Sequence, residues 1–269
     1  MKEIIQKHLM EIEQKENVKI LFAIESGSRA WGFASPDSDY DVRFIYVRPV
    51  AEYLKLEKRR DVIEYMLTDE LDINGWDIDK ALKLLRTSNP TFFEWSNSPI
   101  VYKQTDFFKK LNRIKNKYFY CKTGLYHYLN MATGNYREYL KKDEVKLKKY
   151  FYVLRPLLAC EWILDKGTPP SMMFNDLLIY LPQNLCDIVK NLLDMKMNSS
   201  EMALGKKIVE INNWLEIEIE QLEAKIAKLP TDQKQRWEEL NELFLSEVMT
   251  CEGITPAPQG ILRKNAPPD

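Results

Sequence analysis

The sequence predicts an α+β protein. A mixed sheet with helices is expected over residues 1–104, a helical domain over 105–252, and a flexible tail over 253–269. Three observations lead to that class. Short apolar, β-branched runs alternate with amphipathic stretches up to about residue 104. Beyond it strand signals nearly vanish, and long segments of 3.6-residue period take over. A length of 269 suits one or two such units, each with a sizeable core.

The elements follow in order. Residues 2–16 read as a helix with Ile4, Ile5, Leu9 and Ile12 on one stripe. Val18 to Ile24 is a continuous apolar run, the pattern of a buried strand. Tyr40 to Val47 is a second strand, interrupted by Pro49. Val62 to Met66 and Leu71 to Asn74 are shorter strands, and Gly75 is expected to close the latter. Asp77 to Thr87 is helical, with Ile78, Ala81, Leu82 and Leu85 facing inward and Asn89-Pro90 as its stop. Pro99 to Lys103 reads as a further strand. Helical segments are then expected over roughly 106–140, 144–165, 173–196 and 201–247, with Gly167-Thr-Pro-Pro170 as a break. The tail from Gly253 carries four prolines in seventeen residues, so it is read as disordered or loosely docked.

Composition narrows the function. The net charge of −1 supplies no global field for nucleic acid, so any polyanion site must be a local basic patch. The four cysteines are far apart, which fits free thiols in a reducing compartment and not a zinc site. The two histidines, His8 and His127, lie in no suggestive context. No run of about 18 apolar residues appears, and the N-terminus reads as an amphipathic start and not a signal peptide. A cytoplasmic protein without a membrane partner is expected.

The most specific chemistry lies between Gly27 and Asp41. Gly27-Ser28 follows an apolar strand, where α/β sheets place ligands. Gly27 permits positive φ and close backbone approach, and N–H groups there with the Ser28 hydroxyl suit phosphate oxygens. It is not a Walker loop, because no Gly-Lys-Ser/Thr follows. After ten residues come Asp39 and Asp41, which a strand would project together. Two such carboxylates repel each other unless a divalent cation intervenes, and hard oxygen ligands suit Mg²⁺ or Mn²⁺. A solvated acidic turn, Pro-Asp-Ser-Asp, is the plain alternative. An EF-hand-type calcium loop would fit Asp37, Asp39 and Asp41, but Val42 and Arg48 stand where it needs Gly and Glu.

The Gly-Ser turn, the ten-residue connection and Asp39-Tyr-Asp41 resemble the signature of the DNA polymerase β-type nucleotidyltransferase superfamily. Glu25-Ser-Gly-Ser-Arg-Ala-Trp-Gly-Phe33 and Asp37-Ser-Asp-Tyr-Asp-Val-Arg43 resemble one bacterial and phage branch, the predicted nucleotidyltransferases associated with RNA-repair ligases. Gly75-Trp-Asp77, Asn89-Pro90, Ser98-Pro-Ile-Val-Tyr102 and Lys148-Lys-Tyr-Phe-Tyr-Val-Leu-Arg155 extend that resemblance over most of residues 20–170. It implies a polymerase β-like catalytic sheet and a third carboxylate on a later strand. Asp72 is the choice, because Leu71 and Ile73 would face the other side. Asp77 is the runner-up and reads better as a helix cap.

The implied reaction moves a nucleoside monophosphate from a nucleoside triphosphate such as ATP to an acceptor hydroxyl and releases pyrophosphate. Asp39, Asp41 and Asp72 would hold two ions, Mg²⁺ or Mn²⁺. Gly27, Ser28 and Arg29 would meet the phosphates. Arg43 would serve there too, or pair with Asp41 or Asp72. Lys148, Tyr152 and Arg155 fall on one helix face at i, i+4 and i+7, a surface for a nucleotide or simply a solvated charged face. Trp31 and Trp76 read as packing, and Glu25 as structural. RNA 3′ ends are the acceptor the branch implies, with lysines 109, 110, 115, 117, 146, 148 and 149 as a local basic source. Adenylylation of a protein hydroxyl, as in toxin-antitoxin nucleotidyltransferases, is the main enzymatic rival, and antibiotic modification a third. A silent nucleotide- or RNA-binding member is the non-enzymatic alternative.

Overall fold

The computed structural model describes residues 1–68, 70–198, 204–233 and 235–251, so the tail expected over 253–269 lies outside the described residues. Helix α1 (Lys2–Glu16) ends at Asn17, whose left-handed backbone turns the chain into β1 (Lys19–Glu25). One helical turn, α2 (Gly27–Ala30), follows. Next come β2 (Tyr40–Val47), α3 (Val50–Tyr53), β3 (Val62–Thr68) and β4 (Leu71–Asp77). Then α4 (Ile78–Arg86), α5 (Pro90–Ser96) and β5 (Val101–Gln104) close the sheet region.

The sheet order is β3-β4-β2-β1-β5. Only the β2–β4 pair is parallel; the other three pairings are antiparallel. Two apolar layers flank it. Ile5, Leu9 and Ile12 of α1 cover one face through Ile20, Ala23, Val42, Phe44 and Ile73. The other face buries Phe22, Ile24, Ile45 and Val47 under α4 and α5.

Gly75 does not close β4. It sits inside the strand opposite Phe44, whose ring occupies the space a Cβ would need. A cross-strand aromatic ring over glycine keeps the sheet continuous there. Asn89-Pro90 does more than stop α4. The Asn89 side chain accepts from Thr91 N and Pro90 takes the first helical position, so the pair opens α5.

The later chain is helical, as expected, but more broken. It comprises α6 (Asp106–Ile114), a 3₁₀ turn at Lys115–Tyr118, α7 (Cys121–Tyr139), a short strand β6 (Glu144–Lys146) and α8 (Lys148–Lys166). After these come α9 (Phe174–Leu177), a 3₁₀ turn at Leu178–Tyr180 and α10 (Gln183–Asn198). A strand β7 (Leu204–Lys206), α11 (Val209–Ala227) and α12 (Glu238–Cys251) complete it. The β6–β7 ribbon lies where unbroken helix was expected. With three residues per strand it is too short to show a two-residue period. None of the described helices is long and apolar enough to cross a membrane.

The helices α7, α8, α10 and α11 form their own apolar core around Leu125, Phe151, Leu154, Val189 and Leu215. Phe33, from the loop after α2, inserts into it against Phe151 and Phe174, with ring centroids at 5.0 and 5.4 Å. Helices α6 and α12 go elsewhere. Phe107, Leu111, Leu240 and Val248 share one core with Phe22 and Ile45 of the sheet. The sheet over 1–104 is therefore finished by residues drawn from 105–252.

Candidate active site

The parallel β2–β4 register pairs Asp41 with Asp72, the second residue of each strand. Their neighbours Val42, Leu71 and Ile73 belong to the α1 layer, so both carboxylates stand on the opposite face. Arg43, two residues along β2, lies between them. Its Nη2 is 2.9 Å from Asp41 Oδ1 and 2.8 Å from Asp72 Oδ2. Expected to pair with one of the two, Arg43 pairs with both. Asp39 precedes the strand, is exposed, and adds its charge to the group. Burial pushes the Asp41 carboxyl above its ordinary pKa. Arg43 opposes this, and the negative charges of Asp72 and Asp39 add to it.

Two backbone links join this group to the Gly-Ser turn. Ser26 N donates to Asp41 O at 2.8 Å, and Asp41 N donates to Glu25 Oε1 at 2.8 Å. Gly27 has φ +62°, and a Cβ built there would collide with Asp41 Oδ2. Glycine is required twice, once for the backbone and once for the carboxylate packed on it. Glu25 is fully buried; its other oxygen accepts from the Tyr102 hydroxyl, and burial raises its pKa. Glu25 thus fastens the start of β2 to β5. Its only sequence signal was an acid at the end of an apolar strand.

The turn's other residues are placed as follows. Ser28 Oγ donates to Ser38 Oγ at 3.2 Å. Arg29 donates to the main-chain oxygens of Ser38 and Asp39 and lies over the Tyr40 ring, 3.7 Å from its centroid. Arg29 and Tyr40 line a cleft of about 470 Å³ with Gly32, Ile100 and Tyr102, which does not include the three carboxylates. Arg29 therefore braces the loop that leads into Asp39.

The helix face expected at Lys148, Tyr152 and Arg155 divides. Tyr152 packs edge-on against Trp31, with centroids 5.9 Å apart, so α8 does reach the segment just after the turn. Arg155 is 2% exposed. It is bound to Glu94 at 2.6 Å and lies 4.5 Å over the Trp31 ring. Tyr128 donates to the same Glu94 oxygen. Arg155 thus joins α5, α7 and α8 around Trp31, and its charge is already answered. Lys148, at the start of α8, is half-buried. Trp76 stacks on Trp95, centroids 3.6 Å apart. Asp77 is fully buried at the far end of β4, where it caps α4 through Asp79 N and faces Arg48 and Arg59.

One side chain that braces this loop had no local signal. Lys196 of α10 is buried, with Nζ 3.2 Å from Ser35 Oγ and 3.5 Å from Ser38 Oγ. Ser38 Oγ also accepts from Ser35 N. The loop between turn and carboxylates is thus held by a lysine 158 residues along the chain from Ser38.

The donor set suits a hard divalent cation by its chemistry: carboxylate oxygens only, close enough to repel, beside a strand end. Among the described residues, however, no three such side chains form a ready-made cage, and the Arg43 guanidinium lies between two of them. An ion held by Asp41 and Asp72 together would take the place of that contact.

A mixed sheet that carries an acid pair on parallel strands beside a Gly-Ser turn defines the class of polymerase β-like nucleotidyltransferases. The chain belongs to the RNA repair pathway DNA polymerase beta family, whose family model matches residues 1–246. It is 44% identical over 251 residues to the uncharacterized protein YcgL of Bacillus subtilis (strain 168), covering 92% of this chain and 96% of that protein. A solved nucleotidyltransferase-like protein from Exiguobacterium sibiricum 255-15 is 14% identical. That likeness spans 97% of this chain and 84% of the other, with a TM-score of 0.33.

Proposed function

We propose that the protein is a metal-dependent nucleotidyltransferase that moves a nucleoside monophosphate from a nucleoside triphosphate to an acceptor hydroxyl. The observation that carries this is the pairing of Asp41 with Asp72 on adjacent parallel strands, with Gly27 packed directly under the Asp41 carboxylate. In this reading Asp39, Asp41 and Asp72 would hold Mg²⁺ or Mn²⁺, which would supply charge neutralisation when bound. The Gly27-Ser28 turn meets the phosphate tail. Trp31 and Tyr152 border it, and Lys148 extends the same helix face. The acceptor oxygen forms a bond to the α-phosphorus while the bond to the β-phosphate oxygen breaks. The hydroxyl proton passes to Asp72, and pyrophosphate departs. The family description, which refers to an RNA repair pathway, favours RNA as the source of the acceptor hydroxyl.

A second reading, nucleotide binding without turnover, draws on the Arg43 bridge across Asp41 and Asp72. One experiment separates them. The protein is incubated with Mg²⁺ or Mn²⁺ and each α-³²P-labelled nucleoside triphosphate, with and without 3′-hydroxyl RNA. Labelled product and pyrophosphate are expected, and Asp39→Asn, Asp41→Asn and Asp72→Asn should each lower the rate at least about 10²-fold. Label on a protein hydroxyl with none on RNA would assign a protein acceptor. Tight nucleotide binding with no transfer to any acceptor would sink the enzymatic reading.

A further inference from the structure

The lysines named as a basic source separate into two groups, 109, 110, 115 and 117 in one and 146, 148 and 149 in the other, and further lysines join the second. Lys109 pairs with Asp106, Lys110 with Glu247 and Lys117 with Glu239, while Lys115 is buried against Ser96 and Asn97. Those positions are neutralised or enclosed. The second group gathers at the β6–β7 ribbon. Lys146 and Lys206 lie on its two strands, Lys141 and Lys142 lead into it, Lys207 follows it, and Lys148 and Lys149 open α8 beside it. Among the described residues Lys141, Lys142, Lys146, Lys206 and Lys207 make no ion pair; Glu138, Asp143 and Glu144 lie at the ribbon, and Glu216 shares a neighbouring cleft with Lys141 and Lys207. A cleft of about 430 Å³ opens there, lined by Tyr139, Lys142, Lys146 and Lys149.

Aromatic rings are interleaved with the charge. Lys149 Nζ lies 3.6 Å from the Tyr139 centroid and 5.1 Å from that of Tyr152. Tyr152 in turn touches Trp31, which directly follows α2. A chain of ring and cation contacts therefore runs from the ribbon as far as Trp31. Lysines for phosphates beside rings for bases form the combination that binds single-stranded nucleic acid. Strands of three residues offer too little surface to span the two grooves a duplex presents.

We infer that the β6–β7 ribbon is a docking surface for single-stranded nucleic acid and feeds an acceptor end toward the Trp31 side of the turn. This rests on the reading of the acceptor as a nucleic acid. The test measures binding alone, with no nucleoside triphosphate present. A fluorescent single strand of about 20 nucleotides, as RNA and as DNA of the same sequence, is titrated by anisotropy at several salt concentrations. The Lys142→Glu/Lys146→Glu/Lys206→Glu variant should weaken binding more than about 10-fold, and its slope against log salt should fall by about 2 units, at about 0.7 per lost phosphate contact. The corresponding triple Gln variant should show the same direction with a smaller loss. Lys7→Glu/Lys58→Glu/Lys109→Glu, equal in charge but placed elsewhere, should change affinity less than about 3-fold if the effect is local and not a general field. RNA or DNA, whichever strand loses more affinity in the ribbon variant, is the partner chemistry. Equal losses in ribbon and control variants, or none in either, would overturn the inference. Loss of transfer in the Asp variants with intact ribbon-dependent binding would leave both readings standing. Unchanged transfer in those variants would remove the enzymatic site assignment and leave the ribbon.

Discussion

Gly27 carries two constraints at once, a left-handed backbone and the carboxylate of Asp41 lying where its Cβ would go. Gly27→Ala therefore costs about 1–2 kcal/mol for the backbone alone. The larger effect is on position, since the Asp41 carboxylate or the turn must move aside. Misplacement of a reacting group by about 1 Å costs on the order of 10²-fold in rate. The expected result is a drop in transfer rate far beyond the loss in melting temperature, checked by kinetics and a thermal melt on one preparation. A stable variant with unaltered rate would remove the link between turn and carboxylate. The turn and the acid pair were legible as sequence because both use residues with few other uses at that spacing. Glu25 and Arg43 were only half legible. Their roles depend on partners at Tyr102, Asp41 and Asp72, and those partners are set by strand register.

Lys196 acts between elements. Its stem belongs to α10, its ammonium to the loop between α2 and β2. Lys196→Met keeps the stem and removes the charge-assisted bonds to Ser35 and Ser38, worth about 1–3 kcal/mol. Because the loop carries Ser28's partner and leads into Asp39, the Michaelis constant for the nucleotide should rise more than kcat falls. Lys196→Arg should recover part of the loss in steady-state kinetics. An equal fall in both constants, or none, would argue for a purely structural lysine. The α8–α11 seam gives a pH-dependent counterpart. Burial, then a hydrogen bond with Glu161 and the charge of Glu161, push the Glu218 carboxyl up to about 7. The folded state thus holds a proton that the unfolded chain releases near pH 4.5. The associated stability is full below that pH and is lost as pH rises through about 7. Glu218→Gln should then be more stable than the parent at pH 8, by about 1–2 kcal/mol, and close to it at pH 5, in urea melts at both values. At this scale the sequence foretold where apolar stripes run and missed where they break. The Asn89-Pro90 pair looks alike as a stop and as a start. The ribbon strands are shorter than the pattern that would announce them.

At the scale of the molecule, a reading of strands first and helices afterwards implies two units that meet at residue 104. The cores are distributed differently. Leu240, Leu243 and Val248 of α12 pack into the layer that holds Phe22, Ile45 and Leu82. Phe119 packs against both the sheet layer and the helical core. Asp232, just before α12, accepts from Lys122 N, Thr123 N and Thr123 Oγ1 and so caps the start of α7. Glu94 of α5 is tied to Tyr128 of α7 and Arg155 of α8. With contacts of this kind on both sides, the sheet cannot lose α12 and keep its core, nor can α7 keep its cap. Leu240→Ala should therefore lower stability by about 2–4 kcal/mol, the usual cost of emptying a buried leucine site. For a chain of this size that is a fall of roughly 5–10 °C in melting temperature. The decisive readout is where the loss appears. Hydrogen exchange should accelerate together in peptides spanning β2 and in peptides spanning α8, although Leu240 belongs to neither element. The fragment 105–252 expressed alone should fail to give a cooperative melt, because α6 and α12 would be left without the sheet they cover. Two separate transitions, with only the sheet shifted by Leu240→Ala, would show instead that the helices between α6 and α12 stand as a unit of their own.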